Sequence, residues 1–323
     1  MKKIIIDLEG SDNGPEVLFS GARKAAEKFP QLSFSLVTTE TEKFEELLSS
    51  DESGNNSGNI AIIPASDIIR CDEPAMSIFK GRDSSSMAVA LDALKKDEDA
   101  TGLLCAGNTG ALMVGSIFRL GLTEGLKAPA LSTMLPNIKG GMTTLVDCGA
   151  NVNIEAFNIR DFAVLGTDFV RKMFGIEKPT VALLNVGREA GKGTPLYIEA
   201  YGLLEQISNE GKINFIGNAE GYDVITGYAD VIVCDGFAGN IVLKLTEAVG
   251  KTSLSVVEEK RAALSETPEA SALSEISEKL KDLFVFNERG GATFLGTKKP
   301  VIKMHGCATE ETVISCVEQL MKL

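Results

Sequence analysis

The sequence predicts an α/β protein with a mixed, mostly parallel sheet. Three observations carry that expectation. Short β-branched, apolar runs alternate with amphipathic helical stretches along the whole chain. Five of those runs lead into glycine turns that also carry asparagine or aspartate, at 106–110, 147–151, 187–193, 217–221 and 235–240. Turns at the carboxyl ends of strands are where open α/β sheets bind ligands. At mid-chain, two strands, 128–136 and 142–146, are joined directly through Lys139-Gly140-Gly141, so antiparallel pairing enters an otherwise parallel sheet.

Taken in order, Lys3–Asp7 is the first strand, and Pro15 is suited to the first position of a helix over Glu16–Phe29. Ser33–Thr38 is a strand, Thr41–Leu48 an amphipathic helix, and Ser49–Asn59 a polar segment expected to form a mobile surface loop. Ile60–Ile63 is a third strand. Lys80 and Arg82 stand beside Ser84, Ser85 and Ser86. Ser84 or Ser85 is expected to cap the helix through Met87–Leu94, and phosphate binding by the two cations is the competing reading. Leu103–Cys105 leads through Ala106–Gly110 into a helix over Ala111–Leu120. Later come a long helix, Phe157–Phe174, a strand at Val181–Val186, a helix at Tyr197–Ile207 and a strand at Asn214–Ile216.

The stretch Ala229–Gly250 shows the pattern most fully. Val231–Cys234 is a buried strand, Asp235–Asn240 a glycine-rich turn, and Ile241, Leu243, Leu245 and Val249 fall near one stripe of the helix that follows. Strand, turn and helix would present free N–H groups and a positive dipole end to an anion. Glu258–Leu283 is charged and glycine-free, and Leu264, Leu273, Ile276, Leu280 and Leu283 would line one face of a helical hairpin. That hairpin is expected at a dimer interface or protein edge. Acidic residues outnumber basic ones across 251–282, so peripheral membrane contact is expected to be weak. The chain closes with Gly290-Gly291-Ala292, a strand at Val301–Met304 and a helix at Glu310–Lys322.

Composition narrows the function. The 323 residues suit a single two-lobed catalytic unit, 1–323, with a hairpin excursion around 251–285. A net charge of −13 argues against general nucleic-acid binding, and an anionic ligand would need a local island of positive charge. No apolar run is long enough for a secretory or membrane segment, so a cytoplasmic location is expected. Six cysteines and one histidine show no metal-ligand spacing. Cys105, Cys148 and Cys234, at strand ends, are expected to be buried thiols.

The combined motifs are more specific than any one loop. They are AGNTGALM at 106–113, APAL at 128–131, DCGANV at 147–152, LLNVG at 183–187, EAGKG at 189–193, INFIGNAEG at 213–221, ADVIVCDGFAGNIVLK at 229–244 and GGATFLG at 290–296. Together they resemble the phosphate acyltransferases, the acyl-[acyl-carrier-protein]:phosphate transacylases of bacterial phospholipid synthesis. The resemblance implies a three-layer α/β/α fold similar to isocitrate and isopropylmalate dehydrogenases, and a homodimer. It implies transfer of an acyl group from acyl carrier protein (ACP) to inorganic phosphate, with no metal or organic cofactor. The chain departs from the family pattern at Asp7-Leu8-Glu9-Gly10-Ser11-Asp12, in the loop 187–195, at 151–158 and at His305-Gly306-Cys307.

Phosphate is already a nucleophile, so such a site needs no Ser–His pair. It needs a dianion held beside a thioester carbonyl, with donors for the oxyanion. Lys192, between two glycines, is the candidate to hold phosphate, with Asn185 and Asn240 as catalytic partners. Asn108, Thr109, Asn151, Asn218 and Asp235, and the backbone at Gly107, Gly110 and Gly239, are the substrate-binding candidates. At each position a turn or cap role competes. The rival functions are a phosphotransacylase using acyl-CoA or another thioester, and a non-catalytic scaffold of lipid synthesis. A nicotinamide dehydrogenase is disfavoured, because no strand is followed by G-x-G-x-x-G.

Overall fold

The computed structural model describes residues 1–50, 59–264, 267–285 and 290–323. Most of the polar segment expected to be a mobile loop, residues 51–58, lies outside them. The chain forms two compact units, Met1–Pro129 with Asn287–Leu323, and Ala130–Phe286.

In the first unit, strands β1 (Lys3–Asp7), β2 (Ser33–Thr38), β3 (Ile60–Pro64), β4 (Ala100–Cys105), β10 (Ala292–Leu295) and β11 (Val301–Lys303) lie in the order β3-β2-β1-β4-β11-β10. All pairs from β3 to β11 are parallel, and β10 runs antiparallel to β11. Ile4 and Ile6 pack with Leu18, Ala22 and Ala25 of α1 (Pro15–Lys28) and with Val313, Val317 and Leu320 of α10 (Glu310–Lys322). Ile5, between them, points to the opposite face, where α3 (Ser86–Lys96) packs on β1, β2 and β4. Helix α2 (Thr41–Ser49) covers the β3 edge. Strand β10 was hidden in the sequence by Gly290-Gly291: a Cβ at Gly291 would lie 2.4 Å from Ile302 Cγ2, so the glycine marks close approach to β11 and not a turn. Helix α4 (Thr109–Gly115) passes into a π-helical turn over Ser116–Leu120, where one continuous α-helix was expected.

The second unit holds β5 (Ala130–Pro136), β6 (Met142–Val146), β7 (Thr180–Leu184), β8 (Asn214–Ala219) and β9 (Val231–Val233), ordered β5-β6-β9-β7-β8. The β5–β6 hairpin is antiparallel, as Lys139-Gly140-Gly141 foretold, and the rest is parallel. Helices α5 (Ala156–Phe174), α6 (Pro195–Asn209), α7 (Asp223–Thr226) and α8 (Gly236–Ala263) pack on these strands. Helix α9 (Pro268–Phe284), opened by Pro268, pairs with α8, whose single helix from Gly236 to Ala263 makes the first arm much longer than the excursion expected around 251–285. The hairpin's contact is centred on buried Ser277, whose hydroxyl meets the Glu258 carboxylate, and on Phe284 above Gly250. Ile276, expected on the packed face, is exposed. Among the described residues no helix is long and apolar enough to cross a membrane.

Candidate functional site

Four of the five glycine turns belong to the second unit, and side-chain hydrogen bonds hold them in place. Asp147, the residue after β6, is completely buried. Its carboxylate accepts hydrogen bonds from the backbone N–H of Leu131, Gly149, Ala150 and Asn151 at 2.8–3.2 Å, and from the Asn151 side-chain amide at 2.6 Å. Burial pushes its pKa up and these donors pull it back. Asn151, a substrate-binding candidate, is thus engaged in winding the loop 147–151 around a carboxylate.

The first turn of α8 docks on that loop. Gly236 N–H donates to the Asn151 carbonyl at 2.7 Å, and a Cβ at Gly239 would stand 1.8 Å from the Asp147 carbonyl oxygen. The glycine-rich turn expected at 235–240 is therefore helix from Gly236 onward. Its glycines permit contact with a neighbouring backbone and do not bend the chain. Asp235 is the N-cap, accepting from Ala238 N–H at 2.8 Å. Asn240 is exposed on the same turn, with its side chain against Gly149.

The loop after β7 presents Lys192. Asn185 accepts from Val186 N–H at 2.8 Å and donates to the Lys192 carbonyl at 3.1 Å, closing the loop across its base. Asn218, buried at the end of β8, donates to the Glu189 carbonyl at 2.8 Å. The stem of Lys192 lies over Gly187, the side chain is half exposed, and its ammonium stands 3.9 Å from the Glu189 carboxylate. An exposed pair at that distance is weak, so the cation remains available to an anion. Tyr197, at the start of α6, donates its hydroxyl to Asp235 at 2.8 Å. One phenol therefore ties the Lys192 loop to the α8 turn. Its pKa is raised, by burial first and by its acidic neighbours next.

Arg188 and Arg82 are committed elsewhere. Arg188 donates to buried Asp223 at 2.6 Å and stacks on the Tyr228 ring at 4.4 Å. Arg82 is held by Asp67, Glu73 and the Ile68 carbonyl, which disposes of the phosphate reading of the Lys80–Met87 cluster as far as Arg82 is concerned. Ser85 occupies the N-cap position of α3, but its hydroxyl donates to the Arg82 carbonyl and does not cap the helix.

The remaining candidates belong to the first unit. Asn108 caps α4, accepting from Ala111 N–H at 2.9 Å. Its amide donates to the carbonyls of Arg70, Cys71 and Glu73 at 2.8–3.2 Å, so its visible work is to fasten the 70–73 segment. Thr109 opens the helix, a Cβ at Gly110 would press on Ala75, and Gly107 backs onto Met87. Sequence reasoning missed Asp147, Tyr197 and Asp223. The Asp-Cys-Gly-Ala-Asn order after a strand was a signal for Asp147; Tyr197 and Asp223 carry no local signal.

A sequence profile described as "Fatty acid synthesis protein" matches residues 2–323. A phosphate acyltransferase of Clostridioides difficile is 36% identical over 321 residues, covering 99% of this chain and 92% of that protein. One from Caldanaerobacter subterraneus is 37% identical over 326 residues, covering 99% and 93%. The chain belongs to the phosphate acyltransferase family. It is an acyl-transferring enzyme. Among solved structures, a phosphotransacetylase from Streptococcus pyogenes superimposes with a TM-score of 0.66 at 16% identity, covering 99% of this chain and 93% of that one. A branched-chain phosphotransacylase from Enterococcus faecalis gives 0.57 at 18%, covering 100% and 99%. A putative 4-hydroxythreonine-4-phosphate dehydrogenase from Salmonella typhimurium gives 0.57 at 11%, covering 100% and 99%. These likenesses bear out the α/β fold with helices on both faces of a mostly parallel sheet.

Proposed function

We propose that the enzyme transfers an acyl group from an acyl-ACP thioester to inorganic phosphate, giving an acyl phosphate for phospholipid synthesis. The observation that carries this reading is the presentation of Lys192. It is a half-exposed cation on a glycine loop, braced by Asn185, while neighbouring Arg188 is consumed by Asp223. A phosphate dianion beside Lys192 attacks the thioester carbonyl. The tetrahedral oxyanion is stabilised by amide donors such as Asn240, and collapse breaks the C–S bond and releases the carrier thiol. Asn185 positions the cation, and Asn218 holds the loop from below. Asn151, Asp235 and Gly239 shape the backbone edge. Within the first unit, Asn108, Thr109 and the backbone at Gly107 and Gly110 are proposed substrate contacts. A cytoplasmic enzyme working as a homodimer fits this role.

The test is direct. The protein is mixed with phosphate and a panel of acyl thioesters on ACP and on coenzyme A, and acyl phosphate is trapped with hydroxylamine. Hydroxamate from acyl-ACP supports the proposal. Turnover with acyl-CoA alone would reassign the donor, and none with any thioester would leave the scaffold reading.

A further inference from the structure

We propose, on the reading of Lys192 as the phosphate cation, that Arg188 is a positioning residue whose ion pair with Asp223 is the latch that sets Lys192. Lys192 leans on the two residues that flank Arg188. Its stem lies against Gly187, where a Cβ would stand 3.2 Å from the Lys192 Cγ, and its ammonium stands 3.9 Å from the Glu189 carboxylate. Its backbone N–H donates to the Glu189 carbonyl at 3.0 Å. Wherever Arg188 is held, the surface on which the cation rests is held too.

Arg188 is held at its edge and on its face. Nη2 donates to Asp223 Oδ1 at 2.6 Å, and the guanidinium carbon lies 4.4 Å from the centre of the Tyr228 ring. Asp223 is itself fixed: it is buried, and its other oxygen accepts from Glu220 N–H at 2.7 Å. A planar guanidinium bonded and stacked in this way keeps few orientations. Releasing it would leave the buried carboxylate charge without its partner. Asn185 and Asn218 hold the same loop through neutral amides bonded to the Lys192 and Glu189 carbonyls. Arg188 adds the charged tie, to α7. Asp223 also separates positioning from direct contact. If Arg188 met phosphate itself, removing the Asp223 charge would free the guanidinium and tighten phosphate. If Arg188 acts through the loop, the same change opens the latch and weakens phosphate.

The experiment follows acetylation of Lys192 by acetic anhydride in the full chain, read by peptide mass, against rising inorganic phosphate. It needs no acyl donor. Phosphate is expected to protect Lys192 in the wild type. In Arg188→Gln and in Asp223→Asn, the phosphate concentration giving half protection should rise roughly tenfold, the scale of coupling between contacting residues. The double variant Arg188→Gln/Asp223→Asn leaves no unpaired buried charge, and should match the single variants without adding to them. Arg188→Lys, which keeps a cation opposite Asp223, should return most of the protection. Under turnover, the Gln and Asn variants should raise the phosphate KM and leave the thioester KM unchanged. Equal half-protection in the wild type and every variant would overturn the latch while the Lys192 reading stands. Tighter phosphate in Asp223→Asn would overturn it in favour of direct contact by Arg188. A wild-type Lys192 that phosphate does not protect would overturn both.

Discussion

The Tyr197 hydroxyl donates to the Asp235 carboxylate at 2.8 Å, joining the start of α6 to the N-cap of α8. Asp235 N–H points back at the same oxygen, at 3.3 Å. The two turns so joined carry Lys192 and Asn240, which come from different strand ends, so this contact governs how the cation and the α8 amides are presented. In Tyr197→Phe, a hydrogen bond to a charged group is lost, worth about 1.5–3 kcal/mol. We expect kcat/KM for phosphate to fall roughly tenfold, the thioester KM to hold, and the fold to survive. Unchanged phosphate kinetics would mean that the contact serves stability alone.

Lys192→Met keeps the stem that covers Gly187 and removes the charge. If Lys192 holds phosphate in the transition state, the loss is about 2.7–4 kcal/mol, roughly 10²–10³ in rate. The KM for phosphate should rise, and thioester binding should be nearly unchanged. Wild-type turnover at low phosphate would move the anion site away from the 187–193 loop. Arg188 is a poor substitute, because its guanidinium neutralises buried Asp223.

Asp7 gives a pH signature. It ends β1 wholly buried, accepting from Glu9 N–H at 3.1 Å and from the Cys105 thiol at 3.4 Å. Burial raises its pKa from 3.8 to about 7, and the Glu9 carboxylate adds to the rise. Between those values the folded protein holds a proton that the unfolded chain has released. Asp7 therefore favours folding below its unfolded pKa, and this contribution is lost as pH rises through about 7, with a slope of up to about 1.4 kcal/mol per pH unit. Asp7→Asn should match the wild type near pH 4 and become the more stable of the two towards pH 8, seen as diverging melting temperatures. Parallel curves would show that Asp7 ionises normally.

The proposed homodimer rests on α8. Phe237, Ile241, Leu245, Val249 and Val256 form an apolar row along it that this chain leaves exposed, where the stripe expectation had read only helical periodicity. Exposed apolar rows of this kind mark association surfaces. Light scattering should give twice the chain mass for the wild type, and Leu245→Glu should halve it. A monomeric wild type would remove the dimer from the account.

The sequence by itself determined the order of most elements, the antiparallel hairpin at Lys139-Gly140-Gly141, most of the strand-end loops and the resemblance that family membership bears out. Each is written in short-range periodicity, or in glycine and proline at fixed offsets, which act within one or two turns of chain. Lys192 was legible for the same reason, as the cation between two glycines.

Only the tertiary structure decided which of the candidate side chains are already spent. Asn108 and Asn185 were named as donors, and both prove to be fastening backbone carbonyls. Arg188, in the same loop as Lys192, is claimed by Asp223, 35 positions away. Gly239 was placed in a turn, whereas it lies in a helix pressed against the Asp147 carbonyl. A buried polar group must find a partner wherever the fold supplies one. Those partners lie far away in sequence, so the commitment of each residue is fixed by which strand ends the sheet brings side by side.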